Sequence, residues 1–367
     1  MSQIVNTLNK VPALPLSPSN IFGLLDRAWR MRNADQPIVP FLRGSYGIGK
    51  TKFVYQWVKK MQADIPNFQV WDVMLADKYP NDLVAQVPDQ VTGTVKGYLN
   101  EQLAQACDPN AYGIIFWDEF TQAMVDTQKV TSKAVNERKF GLYQISPNVI
   151  QVMAGNRHTD KSGATKLLSM MANRIDIVDV EVDNDALVDY YIDTGHNPLF
   201  AAYLSSSPYD EARDFQPNED SNFTPRSFER VAQKWTDADP QGKGGLALSL
   251  GDIASSIGIG RAREFSSFVT MIDKMPSRQE IMLEPEKCRV PEKLDERCAV
   301  VCMLSMGTDA KTFPSFAQYV QRFPISMQIL FIKLCGKRDT TDSIRKTREY
   351  VQWITVKEVK DAILDRS

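Results

Sequence analysis

The segment Gly44-Ser45-Tyr46-Gly47-Ile48-Gly49-Lys50-Thr51 constrains this 367-residue chain more than any other. It fits the spacing G-x-x-x-x-G-K-[ST], in which glycines let successive backbone N–H groups face a row of phosphates. Lys50 is placed to neutralise the outer phosphoryl oxygens, and Thr51 to hold Mg²⁺. A chance match in a chain this long is expected about once in a hundred. The flanks agree with the pattern. Ile38-Val39-Pro40-Phe41-Leu42 reads as a buried strand entering the loop. Phe53, Val54, Trp57, Val58 and Met61 then recur at three- and four-residue spacing, so a helix leaves it and adds its N-terminal dipole.

A strand that ends in such a loop needs parallel neighbours. Phe68–Leu75, Ile114–Trp117, Val149–Ala154 and Ile175–Val182 read as four more strands, mostly separated by helical stretches. That alternation predicts an α/β sheet covered on both faces. The third strand runs into Asp118-Glu119, two carboxylates at the end of an apolar run. Beside the loop, Asp118 would hold the Mg²⁺ shell while Glu119 orients or deprotonates an attacking water. The fourth strand ends in Asn156, an amide that can position that water or bind the terminal phosphate.

After Asp183 the pattern turns helical. Apolar periodicity marks 187–192, 198–204, 225–235, 246–257, 261–272, 296–306, 313–323 and 326–334, and a charged tail follows Gly336. Pro12, Pro15 and Pro18 read as an extended arm, with Ser19 or Asn20 capping the first helix. The expected organisation is an arm over 1–19, an α/β domain over 20–183, a helical lid over 184–275 and a helical extension over 276–367. Residues 91–98, with Gly, Thr and Tyr98, read as a loop or a β-hairpin.

Composition narrows the function. Lys and Arg number 43 against 45 Asp and Glu, a formal charge of −2, which argues against a protein that coats nucleic acid. Five scattered cysteines suit a reducing compartment, and Cys298 and Cys302, one helical turn apart, read as core. His158 and His196 are the two histidines, too few for a zinc site of the usual kind. No apolar run reaches membrane-spanning length and the first ten residues lack a signal-peptide core, so a cytoplasmic protein is expected.

The loop at 44–51, the Asp118-Glu119 strand end and the strand closing on Asn156 stand in an order that resembles the AAA+ ATPases, specifically their MoxR-like branch, found in bacteria and phages. Residues 135–143, with Glu137-Arg138, are similar to that branch's Glu-Arg segment. Residues 167–175 are similar to its Asn-Arg-Phe segment, with Ile175 where an aromatic is usual. Ser221–Ser227 resembles its Pro-Arg helix start. The glycine common after Asp82-Leu83 is absent. Together these cover about residues 20–240.

The resemblance implies a P-loop NTPase sheet of order 5-1-4-3-2 with a helical lid. ATP would be bound by residues 44–51 and Lys52, with Mg²⁺ on Thr51 and Asp118. It also implies a hexameric ring in which Arg174 reaches the nucleotide of a neighbouring subunit, while Arg226 senses its own. Such ATPases remodel or activate a client protein, often with a von Willebrand factor A-domain partner. The Asp-x-Ser-x-Ser motif of that domain is absent here, so the partner would be a separate chain. The alternative is a nucleic-acid motor or loader of AAA+ type, which no basic stripe or zinc module supports. A GTP switch would need the Asn-Lys-x-Asp signature, and Asn9-Lys10-Val11-Pro12 does not supply it. In a ring ATPase residues 91–98 would line the pore; an ordinary hairpin is the other reading.

Overall fold

Strand residues buried at successive positions, as over 113–117 and 149–155, must be covered on both sides, and helices do that here. The computed structural model describes residues 13–157, 171, 174–216, 219–240, 246–306, 308–339 and 341–364. His158 and most of the 167–175 segment, Asn173 included, lie outside the described residues. The chain forms two compact units, divided between Asp183 and Asn184.

The first unit runs β1 (Leu14–Leu16), α1 (Pro18–Arg30), β2 (Pro40–Arg43), α2 (Lys50–Asp64), β3 (Phe68–Met74), α3 (Pro80–Leu83), β4 (Val84–Asp89), β5 (Thr94–Leu99), α4 (Glu101–Ala106), β6 (Tyr112–Asp118), α5 (Val125–Glu137), β7 (Lys139–Phe140), β8 (Tyr143–Gln144), β9 (Val149–Gly155) and β10 (Asp176–Val182). Among the described residues the central sheet is parallel throughout, in the order β1-β10-β2-β9-β6-β3. The five strands expected from sequence therefore stand as 5-1-4-3-2. The difference is at the edge: the arm is not all arm, because Leu14–Leu16 pairs with Val180–Val182 as a sixth strand. The first helix also starts earlier than expected. Ser17 caps it through the Asn20 N–H, and Pro18 takes the first helical position, where its missing N–H costs nothing.

Side-chain alternation splits the core into two layers. Leu42, Ile114, Phe116, Val152 and Ala154 pack on α1 and α2 through Leu25, Val54 and Trp57. Phe41, Ile115, Trp117 and Met153 face the other way, onto Leu103 of α4 and Val135 of α5. Residues 91–98 belong to a hairpin, since β4 and β5 pair antiparallel. Its Val91, Val95 and Tyr98 are exposed.

The second unit is helical: α6 (Asn184–Asp193), α7 (Pro198–Ser206), α8 (Glu211–Asp214), α9 (Pro225–Ala238), α10 (Leu250–Ile257), α11 (Ile259–Met271), α12 (Arg278–Leu283), α13 (Leu294–Ser305), α14 (Phe313–Val320), α15 (Ile325–Arg338), α16 (Arg348–Trp353) and α17 (Lys357–Leu364). The segment after Gly336 is more than a charged tail. Asp339 accepts the backbone N–H groups of Ser343, Ile344 and Arg345, turning the chain into two short helices. Trp353 then packs on Phe313 and Phe331. Cys298 and Cys302 are buried in α13, as core. Among the described residues no helix is long and apolar enough to cross a membrane.

Phe200, Tyr203, Phe228, Trp235 and Phe265 form one aromatic cluster in this unit. Arg261 is buried at its margin. Its Nε donates to Asp214 Oδ1 at 2.7 Å, Nη2 pairs with Asp214 Oδ2, and the guanidinium lies 4.3 Å from the Phe223 ring centre. A buried charge that loses its partner is worth about 3–5 kcal/mol of destabilisation. Asp214→Ala is therefore expected to lower unfolding free energy by about that much. Urea denaturation of the variant measures it; Arg261 Nη1 also donates to Ser207 Oγ at 2.6 Å and to Glu264 Oε2 at 3.3 Å, and a loss below about 1 kcal/mol would show that these anchors suffice.

Candidate nucleotide site

Three strand ends and one helix start meet at the same edge of the first unit. Parallel pairing brings the C-terminal ends of β2, β9 and β6 side by side, with Phe41 opposite Met153 and Trp117 opposite Met153. The phosphate loop leaves β2 at Gly44. A side chain there would collide with the Val180 carbonyl, 2.6 Å from a built Cβ, so only glycine lets the loop root against β10. Gly47 and Gly49 adopt φ of 74° and 104°, the left-handed region that glycine enters without strain. Gly49 is the N-cap residue of α2, so Lys50 and Thr51 occupy its first turn.

Lys50 is only 8% exposed. Its Nζ donates to the carbonyls of Gly44 and Ser45, both at 2.7 Å, and to Asn156 Oδ1 at 3.2 Å. The ammonium thus bridges the loop and the end of β9. Thr51 donates its hydroxyl to Asp118 Oδ2 at 2.8 Å, which brings together the two oxygens expected to hold Mg²⁺. Asp118 falls on this side because Ile114 and Phe116, in phase with it, pack against α2. Asn156 follows β9, the strand between β2 and β6. Its backbone is locked by Thr121, whose hydroxyl accepts the Asn156 N–H at 2.9 Å and donates to the Asn156 carbonyl at 3.1 Å.

Glu119 departs from ordinary backbone. It sits at φ 55°, ψ 31°, left-handed for a residue with a full side chain. Such a conformation costs about 1–3 kcal/mol and persists where the surroundings enforce it. Here its own N–H donates to Asp118 Oδ1 at 2.8 Å, so the Asp118 carboxylate fixes the turn that carries Glu119. Ser45, Tyr46, Ile48 and Lys52 complete the loop and the first turn of α2; Ile48 is buried and Tyr46 is exposed.

Arg174 stands elsewhere in the first unit. Asp176 pairs with Pro40 at the start of β2, so exposed Arg174 lies at the opposite end of the strands from Gly44. Six residues at about 3.3 Å each put it roughly 20 Å from its own loop. Arg226, in the second unit, is exposed in the first turn of α9. That turn is built by a reciprocal cap: Ser227 N–H donates to Thr224 Oγ1 and Thr224 N–H to Ser227 Oγ, with Pro225 leading. No acidic residue shares the turn, so Arg226 stands against the helix dipole rather than with it. Arg138, from the Glu-Arg segment, does structural work. It donates to the carbonyls of Ser146 and Val149 and pins the β7–β8 hairpin to the root of β9.

Three residues outside the motifs also stand at or beside the site. Thr121 has no motif; only the meeting of β6 and β9 reveals it. The other two are Asp72 and Tyr55. Asp72 is the lone charge in β3, and Tyr55 lies one turn beyond Thr51. The Tyr55 hydroxyl donates to Asp72 Oδ2 at 2.7 Å. Burial first, then Asp72, then the more distant Asp118, push the Tyr55 phenol up to about 12. Burial also raises Asp72, with Asp118 adding repulsion against the relief given by Tyr55.

No protein-family model matches the chain, and no curated protein matches it in sequence. Several solved structures are similar in outline. A point mutant of RuvB from Thermotoga maritima is 12% identical, over 74% of this chain and 80% of that one, with a TM-score of 0.39. NtrX from Brucella abortus is 15% identical over 74% and 65%, TM-score 0.38. Hsp104 of S. cerevisiae, in complex with casein, is 16% identical over 60% and 44%, TM-score 0.41. The functional reading rests on the residues of the site.

Proposed function

We propose that the chain is an AAA+ ATPase of MoxR-like type, which binds ATP, hydrolyses it and works as a head-to-tail ring on a client protein. The observation that carries this is the hydrogen-bonded set Lys50–Asn156 and Thr51–Asp118, which ties the phosphate loop to two neighbouring strand ends. Each member has a task in phosphoryl transfer. The loop N–H groups and Lys50 offset the charge of the phosphates, and Asn156 presents an amide to the attacking water or the terminal phosphate. Glu119, carried on that turn, accepts the proton of that water.

The donor set fits Mg²⁺. Thr51 and Asp118 offer one hydroxyl and one carboxylate, and this ion usually takes one or two carboxylates together with substrate phosphates rather than a closed protein cage. When bound, Mg²⁺ supplies positive charge to the transferring group. Arg174, out of reach of its own loop, is assigned to the neighbouring subunit, and Arg226 to sensing the nucleotide of its own. A guanidinium fork suits both tasks. The near-neutral charge favours a protein client, with a separate von Willebrand factor A-domain chain as a candidate partner, over nucleic acid.

Lys50→Ala tests the core of the proposal. Loss of a charge-assisted contact is worth about 1.5–3 kcal/mol, so ATP affinity is expected to fall roughly 10- to 150-fold. Equilibrium titration with a fluorescent ATP analogue reads this directly. Unchanged affinity would refute the phosphate-loop assignment.

A further inference from the structure

We propose that Asp72 is an outer carboxylate of the cation site formed by Thr51 and Asp118, acting on the ion through its water shell. The inference rests on the nucleotide-site reading and extends it to a residue that no motif contains.

β3 lies beside β6, with Met74 opposite Asp118, so Asp72 sits two residues earlier on the adjacent strand. Phe68 and Val70, in phase with Asp72, pack on the same layer as Ile114, Phe116 and Trp57. Asp72 and Asp118 therefore share the face that meets α2. That helix reaches both of them, Thr51 donating to Asp118 and Tyr55, one turn on, donating to Asp72. Two parallel rungs thus tie one helix to two carboxylates on neighbouring strands.

Asp72 Oδ2 takes the Tyr55 hydroxyl, but Oδ1 is buried and has no hydrogen-bond partner. A buried carboxylate oxygen without a donor is costly to keep, and such groups ask for an ion or a bound water. A proton on Oδ1 does not resolve the matter, because it would itself need an acceptor there. Neither Asp72 nor Asp118 has an ion pair with Lys or Arg among the described residues, and the charge of Asp118 is felt at both Asp72 and Tyr55. Two carboxylates arranged this way repel until a cation lies near both. A divalent ion held by Thr51 and Asp118 removes that repulsion, and its waters give Oδ1 its donors.

The test is equilibrium binding of a fluorescent ATP analogue to the full chain, in EDTA and across a Mg²⁺ titration. Asp72→Asn keeps the shape and removes the charge. Its affinity in EDTA should stay within about twofold of wild type, while the Mg²⁺ midpoint rises roughly tenfold, as for a unit charge a few ångströms from a divalent ion under water-like screening. Tyr55→Phe removes the hydroxyl and leaves the charge, so its midpoint should move by less than about threefold. Asp72→Ser repeats the charge loss should the Asn variant melt early. An unchanged midpoint in a folded Asp72 variant overturns the proposal. So does a Tyr55→Phe shift as large as that of Asp72→Asn, since the tie to α2 would then be what matters. A wild type that binds no nucleotide, or binds it equally with and without Mg²⁺, fails earlier, at the nucleotide site itself.

Discussion

Glu119→Gln should bind ATP and Mg²⁺ like wild type yet hydrolyse at least about a hundredfold more slowly, because a positioned base is typically worth ~10²–10⁴ in rate. Glu119 is held in the left-handed region, with its N–H fixed to the carboxylate of Asp118, so the backbone that carries its side chain is fixed. Glutamine keeps the length, the shape and much the same backbone cost. What it lacks is a basic oxygen. Binding, which depends on Lys50, Thr51 and the loop, should therefore persist while the chemical step fails. Single-turnover hydrolysis beside equilibrium binding separates the two. Turnover near wild type would place the base on another residue; equal loss of binding and turnover would mean that the substitution disturbs Asp118 instead.

Why the site was legible in the sequence, and only in part, follows from its construction. The loop could be read because its conformation restricts residue type: φ values of 74° and 104° at Gly47 and Gly49, and a carbonyl against Gly44, leave little choice. Asp118 and Asn156 were readable because each closes an apolar strand, and a parallel sheet aligns such ends. The order of the five strands came from the resemblance, and the pairing agrees with it. Other features depend on tertiary position alone. Thr121 matters because a short turn after β6 passes under Asn156, which no local spacing announces. Leu14–Leu16 joined the sheet although three residues are too few to show alternation, and Pro18, read as part of the arm, opened a helix. The helices after Asp339 were hidden because one side chain, accepting several backbone N–H groups, does what a longer apolar period would otherwise do.

The largest effect is expected at Arg174. The register of β10 on β2 sets it at the far end of the strands from its own phosphate loop, and it is exposed there. A side chain in that position serves a nucleotide only when another subunit brings its loop to it, and contacts of that head-to-tail kind close into rings when the rotation permits. An arginine supplied in trans is worth ~10³–10⁵ in rate, so Arg174→Ala should lose that much hydrolysis while binding ATP normally. Wild-type turnover per chain should rise steeply with protein concentration, since dilution separates each loop from its finger. The decisive measurement mixes two inactive chains. Arg174→Ala retains an intact loop and Lys50→Ala retains an intact finger. In a random equal mixture about a quarter of the interfaces pair one with the other, and activity should return in proportion. A mixture that stays inactive, together with a wild type whose turnover is independent of dilution, would mean that Arg174 acts within its own chain or not at all, and the ring would lose its chemical reason.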